Sequence, residues 1–290
     1  MSLDFRIDHA QVFTGDLPGA ADAPIRAGAM RSVGIAGDRL VLGVSPATPA
    51  DRVIDATDLA CAPGRIVLRD RAVDQADVND LLRAGVSTAV TVADAAAGLD
   101  GLMHEIDRRR LAMNVALLIG YAQLRRAVGG EDQPLLAAQR RAIARGAERA
   151  MRAGCFGLSV PGPGEDANDS SLRRVLAVVD AHGGASVVGA GLRLDRLRRP
   201  AITDLPATIH EHTALPASAL GLRRRGRIRH GHAADLMLFD PDQIDPATGV
   251  VDGVAWLFVN GRPVISSQDR PTPRLTHQRP GRLLRFGSGG

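Results

Sequence analysis

The stretch APGRIVLRDRAVD, residues 62–74, places Arg69, Asp70 and Arg71 directly after the apolar run Ile66-Val67-Leu68. Such a run reads as a short buried strand, and side chains at the end of a buried strand can reach a site. Arginine is always charged, presents a rigid fork of donors and does not ligate metals. Arg69 and Arg71 therefore suit a carboxylate or phosphate held bidentately. The simpler alternative is a local ion-pair cluster in which Asp70 neutralises its neighbours.

The other residues able to do chemistry are scattered. His210-Glu211-His212 lies in a helical pattern, where positions i and i+2 do not share a face, so it cannot chelate. His230 and His232 flank Gly231 in a loop, where they are weak candidates for a metal with a nearby Asp; solvated loop histidines are the bland reading. Ser159 has no G-x-S-x-G elbow around it. GPGEDANDSS lacks the Lys-Ser/Thr of a phosphate loop and reads as a helix start, with Asp169 or Ser170 as its cap. His182 reads as a helix C-terminal residue. The run Arg223-Arg224-Arg225, with Arg227 and Arg229, could contact phosphate, although a solvated loop is the plainer reading.

The elements around these residues fall into three blocks. Residues 3–60 read as strands, with a Gly-Asp hairpin turn in GIAGDRLVLGV. From 76 to 190, helical patterns alternate with the short apolar runs VSTAVTV, MNVALLIG, CFGLSV and ASVVGAG, the signature of parallel βα units. The longest helix candidate, QPLLAAQRRAIARGAERAMRAGCFG, carries Leu135, Leu136, Ile143, Ala147 and Met151 on one stripe and ends at Gly154. After an Arg- and Pro-rich stretch and a short helix around ATIHEHTAL, β character returns, with an Asn-Gly turn in VNGRPV.

Composition narrows the function classes. The 290 residues suffice for a large core, and 45% are apolar. All 36 basic residues are Arg, so neither a Schiff-base lysine nor a carbamylated lysine bridging two metals is available. Acidic residues are interspersed, and aromatics are only 3%, which argues against a nucleic-acid partner. Cys61 and Cys155 sit far apart in apolar contexts and read as reduced, buried thiols. There is no targeting signature and no apolar run of ~18 residues, so the expectation is a soluble, cytoplasmic protein without a membrane partner.

Several of these stretches resemble the metal-dependent amidohydrolase superfamily and, within it, the N-acyl-D-amino-acid deacylases. GIAGDRLVLGV followed by VIDATDLACAPG, then LLRAGVSTAV, MNVALLIGYAQLR and RAGCFGLSVPGPGEDAND, look like its successive units. The most specific stretch is TALPASALGLRRRGRIRHGHAADLMLFDPDQI, continued by GVAWLFVNGRPV and PGRLLR. The resemblance implies a TIM-like barrel with a β-sandwich built from both termini, and zinc-assisted attack of water on an amide. It also shows departures. The family's His-x-His metal pair falls on Arg69 and Arg71, its cysteine ligand on Asp94, and the His of its G-H-G-T-L-R pattern on Tyr121. Asp94 could still face the barrel mouth, or serve as a polar or capping residue. After AHGGASVV, where a His and an Arg are usual, the chain reads Gly189-Ala190-Gly191. There is no room between about Leu192 and Pro206 for the later strands, since a whole barrel takes ~250 residues.

The expected fold is therefore α/β: an incomplete TIM-like (β/α) barrel over residues 63–213, inserted in a small β-sandwich formed by residues 1–62 and 214–290. The expected function is that of a D-aminoacylase-like protein that is catalytically degenerate. The alternatives are an active metal-dependent hydrolase of N-acyl amino acids with a rebuilt or subunit-shared site, and a non-catalytic partner of a full-length paralogue. No cofactor is expected, or zinc if the family's activity is retained. The expected partners are a small anionic ligand and further chains, as a homo-oligomer or a paralogue complex that covers the open sheet edges.

Overall fold

Alternation makes residues 3–12 a strand: Leu3, Phe5 and Ile7 are buried while Asp4 and Arg6 are partly exposed. In the computed structural model, which describes residues 2–20, 23, 27–69, 75–93, 98–130, 133–160, 170–188, 204–245, 253–267 and 272–287, this strand is β1 (Leu3–Val12). It is followed by β2 (Ala29–Ala36), β3 (Arg39–Val41), β4 (Ala50–Asp55) and β5 (Ala60–Pro63). The βα region supplies β6 (Arg65–Arg69), α1 (Gln75–Arg83), β7 (Val86–Ala93), α2 (Leu99–Arg108), β8 (Asn114–Gly120), α3 (Tyr121–Arg126), α4 (Ala137–Ala153), β9 (Gly157–Val160), α5 (Ser170–Ala181) and β10 (Ala185–Val188). Helices α6 (Leu205–His212) and α7 (Ala214–Leu220) lead into β11 (Leu236–Phe239), β12 (Val254–Val259), β13 (Arg262–Ser266) and β14 (Arg274–Leu275).

The five strands β6 to β10 pair in parallel and in sequence order, the arrangement of a half-barrel. All seven residues of β8 are buried, because both faces of the sheet are covered and no polar alternation survives. One face meets the helices of the βα units: Val115, Leu117, Ile119 and Leu158 pack with Ile143, Ala147 and Met151 of α4 and with Val175 and Val179 of α5. Helix α4 ends as expected on Gly154 at φ 104. Leu136, expected on the helix stripe, instead caps the helix start and is 69% exposed.

The opposite face, where a complete barrel keeps its packed centre, carries Ile66, Val90, Ala116 and Leu118. The chain covers that face itself. Ala217 and Leu220 of α7, Leu222 after it, and Leu284 and Phe286 of the C-terminal tail join these residues in one cluster. The tail is held by backbone bonds, from Val115 N–H to the Arg282 carbonyl (2.9 Å), from Leu284 N–H to the Val115 carbonyl (2.7 Å) and from Phe286 N–H to the Gly154 carbonyl (2.9 Å). Residues 214–220 and 281–287 thus pack on the parallel sheet, although they follow its strands in sequence.

The two chain ends share one nine-stranded sheet in the order β14-β13-β12-β11-β5-β1-β2-β3, with β4 also on β1. The join is β5, parallel to β1 on one side and antiparallel to β11 on the other. Both hairpin turns expected from sequence are present: β2–β3 turns at Gly37 (φ 60), and β12–β13 at Asn260 and Gly261 (φ 46 and 77), as a two-residue turn with positive φ requires. Ile7, Val33 and Ile54 from the N-terminal strands cluster with Leu236, Leu238 and Phe258 from the C-terminal ones.

Candidate functional site at the strand ends

In barrels of this kind chemistry sits at the C-terminal ends of the parallel strands. Arg69 ends β6 there. It follows Val67, which packs with α1, rather than Leu68, which packs on the opposite face. Its Nη2 donates to Asp77 Oδ1 of α1 at 3.0 Å, with the two side chains 26% and 16% exposed. The first arginine of the triplet therefore has a carboxylate partner eight residues on. Asp70, Arg71 and Asp94 lie outside the described residues.

The end of β8 carries Gly120 and then Tyr121 at the start of α3. Tyr121 is wholly buried, and its hydroxyl shares a 2.7 Å hydrogen bond with Ser171 of α5. A phenol locked between two helices is structural. Ala93, at the end of β7, is buried and apolar. Among the described residues no group of three His, Cys, Asp or Glu side chains is placed to hold a metal ion. The zinc that the resemblance implies does not fit the described strand ends: a guanidinium bonded to Asp77 and a phenol bonded to Ser171 are not its donors.

His230 and His232 lie beside β3. His230 Nδ1 accepts from the Leu42 N–H at 3.4 Å. Burial, and then the positive charges of Arg229, Arg227 and Arg224, hold the His232 imidazole below its ordinary value. The same charges oppose a metal cation. His210 Nδ1 meets the Gly15 carbonyl at 2.8 Å, fixing α6 to the loop after β1. His182 Nδ1 meets the Val178 carbonyl at 2.9 Å at the end of α5, as its position in the sequence suggests.

The buried polar chemistry gathers instead at the N-terminal end of the sheet. Arg225 is bonded to Asp235 Oδ2, and its Nη2 donates to Asn260 Oδ1 at 3.0 Å. Asp235 accepts from the Asn260 N–H at 2.7 Å and from Asn114 Nδ2 at 3.1 Å. Asn260 Nδ2 donates to Asn114 Oδ1 at 2.7 Å and to the Pro280 carbonyl at 2.8 Å. All four side chains are at most 6% exposed. They come from β8, the loop after α7, the start of β11 and the β12–β13 turn, so the cluster locks the two sheets together. RG, ADL and VNG, the motifs that carried the resemblance most strongly, build this joint; read as sequence, they gave no hint of that role.

Burial pushes the Cys61 thiol up to about 12; burial does the same to Cys155, against the opposing pull of Arg285. Neither thiol is a nucleophile at neutral pH. Arg65, 6% exposed, donates through Nη1 to the Ala84 carbonyl at 2.9 Å, and burial lowers it to about 10, so it stays charged.

No family model matches the sequence. An N-acyl-D-aspartate deacylase from Alcaligenes xylosoxydans xylosoxydans is 37% identical over 97 residues, 31% of this chain and 18% of that protein. An N-acyl-D-glutamate deacylase from the same organism is 37% identical over 114 residues, 37% of this chain and 22% of that protein. The matches thus span about a fifth of the length of these curated relatives. Among solved structures, the N-acyl-D-glutamate deacylase from Bordetella bronchiseptica, complexed with zinc and a phosphonate inhibitor, superposes with a TM-score of 0.71 at 18% identity, over 98% of this chain and 100% of that one. A D-aminoacylase with a binuclear metal centre gives 0.75 at 17%, with the same coverage. The curated relatives and these structural neighbours are N-acyl-D-amino-acid deacylases, as the sequence motifs suggest.

Proposed function

We propose that this chain is a D-aminoacylase-like scaffold that does not carry out metal-dependent amide hydrolysis and acts instead by binding. The observation that carries this reading is Arg69: where the resemblance calls for the first metal-binding histidine, the strand ends in a guanidinium ion-paired to Asp77. Tyr121, at the histidine of the G-H-G-T-L-R pattern and buried against Ser171, supports it. So does the covering of the central face by α7 and the tail, which takes room that a complete barrel gives to its other strands. No helix among the described residues is long and apolar enough to cross a membrane.

The test is turnover. Purified protein with zinc added is offered N-acetyl-D-glutamate and N-acetyl-D-aspartate, and the freed amine is followed. The expectation is no amine release above a heat-treated control. Release at a rate proportional to enzyme and abolished by a chelator would overturn the reading.

A further inference from the structure

At the end of the parallel sheet away from Arg69 lies a pocket of about 100 Å³. Four arginines line it, Arg223, Arg225, Arg282 and Arg285, and no acidic residue among those described does. Its floor is apolar, with Phe156 before β9 and Leu284 of the tail. We propose that this pocket is a binding site for a small oxyanion of the phosphate type.

Three of the guanidinium groups are fixed in place before any ligand arrives. Arg225 is buried and bonded to Asp235 and Asn260. Arg282 Nη1 donates to Asp38 at 2.8 Å, and its backbone N–H donates to Asn114 Oδ1 at 3.2 Å. Arg285 donates through Nη1 to the Ala153 carbonyl at 3.0 Å and through Nη2 to Asp107 at 2.7 Å. Gly154 leaves space for it: a Cβ there would stand 2.8 Å from Arg285 Cβ. None of these three aspartates lines the pocket. Each orients an arginine from outside, so little side-chain entropy remains to be lost on binding. Arg223 is exposed and has no ion-pair or hydrogen-bond partner among the described residues, which leaves its positive charge surplus. The next residue, Arg224, adopts φ 56, rare for a non-glycine residue, in the turn that separates outward Arg223 from inward Arg225. The volume holds roughly three waters at ~30 Å³ each, the scale of one phosphate group. Guanidinium forks over an apolar floor match tetrahedral oxyanions.

The experiment is calorimetric titration of the full chain with inorganic phosphate, in buffer matched for ionic strength with chloride. One saturable site per chain is expected, with sulfate competing. Arg223→Ala, at an exposed position, should leave the thermal midpoint of the phosphate-free protein unchanged and weaken binding about tenfold or more, as loss of a charge-assisted hydrogen bond implies. Arg282→Gln should weaken it from the tail side. Glycerol 3-phosphate separates the sources: tighter binding than inorganic phosphate assigns the site to the phosphoryl group of a larger molecule, and weaker binding assigns it to the free oxyanion. Absence of saturable binding, or an Arg223→Ala affinity within twofold of the parent, overturns the proposal.

Discussion

Replacing Asp235 by alanine should be among the most damaging single changes in this protein. Asp235 is 5% exposed and accepts from Arg225, Asn260 and Asn114, so its loss strands a buried guanidinium and removes three hydrogen bonds at once. Breaking a buried ion pair from one side costs about 3–5 kcal/mol, because the remaining charge stays desolvated. With a urea m-value of about 3 kcal/mol/M, that lowers the unfolding midpoint by roughly 1–1.7 M. The double replacement Arg225→Met with Asp235→Leu removes both charges and should recover most of the loss, since well-packed apolar pairs often match buried ion pairs. Urea titration of the parent, Asp235→Ala, the single variants Arg225→Met and Asp235→Leu, and the double variant completes the cycle. A loss below about 1 kcal/mol for Asp235→Ala, or additive losses in the double variant, would refute the claim that this cluster joins the two sheets.

Gly154→Ala places a side chain at φ 104 against Arg285 and should cost about 1–3 kcal/mol, with faster proteolysis of the tail, read by thermal melt and mass spectrometry. Cys61 and Cys155 should resist a disulfide-exchange reagent at pH 8 in the native protein and both react in denaturant; fast native labelling would contradict their burial. His232 is held below its ordinary value, so the unfolded chain binds its proton first and stability falls as pH drops below the unfolded value of about 6.5. His232→Gln should flatten that slope, as followed by melting temperature between about pH 7 and pH 5. Strand β10 is hydrogen-bonded through β9 alone among the described residues, so self-association that covers its other edge is expected in sedimentation velocity; a monodisperse monomer would contradict it.

Most of the fold was legible in the sequence because period and turn chemistry are local. VSTAVTV, MNVALLIG, CFGLSV and the ASVV of ASVVGAG each carry a parallel strand, and Gly37, Gly154 and Asn260-Gly261 adopt the positive φ that their turns or caps require. What was not legible is tertiary. Nothing in PGRLLR says that Leu284 and Phe286 cover the central face of the parallel sheet, since that packing joins residues far apart in sequence. Arg69 was legible as a charge at a strand end, but its partner is Asp77 of α1, one helix away, rather than its neighbour Asp70. Leu136 fits the helix stripe by spacing, yet the helix begins after it, and it stands in solvent. The Arg225–Asp235–Asn260–Asn114 cluster joins residues up to 146 apart, a separation that no local pattern encodes.

The most direct test of the central claim is the zinc content of the protein, purified without chelator and dialysed, by elemental mass spectrometry. Far less than one zinc per chain is expected, because Arg69 and Arg71 stand where the resemblance calls for the His-x-His metal pair. Zinc near one per chain, retained through dialysis, would contradict it and place a rebuilt metal site in this scaffold.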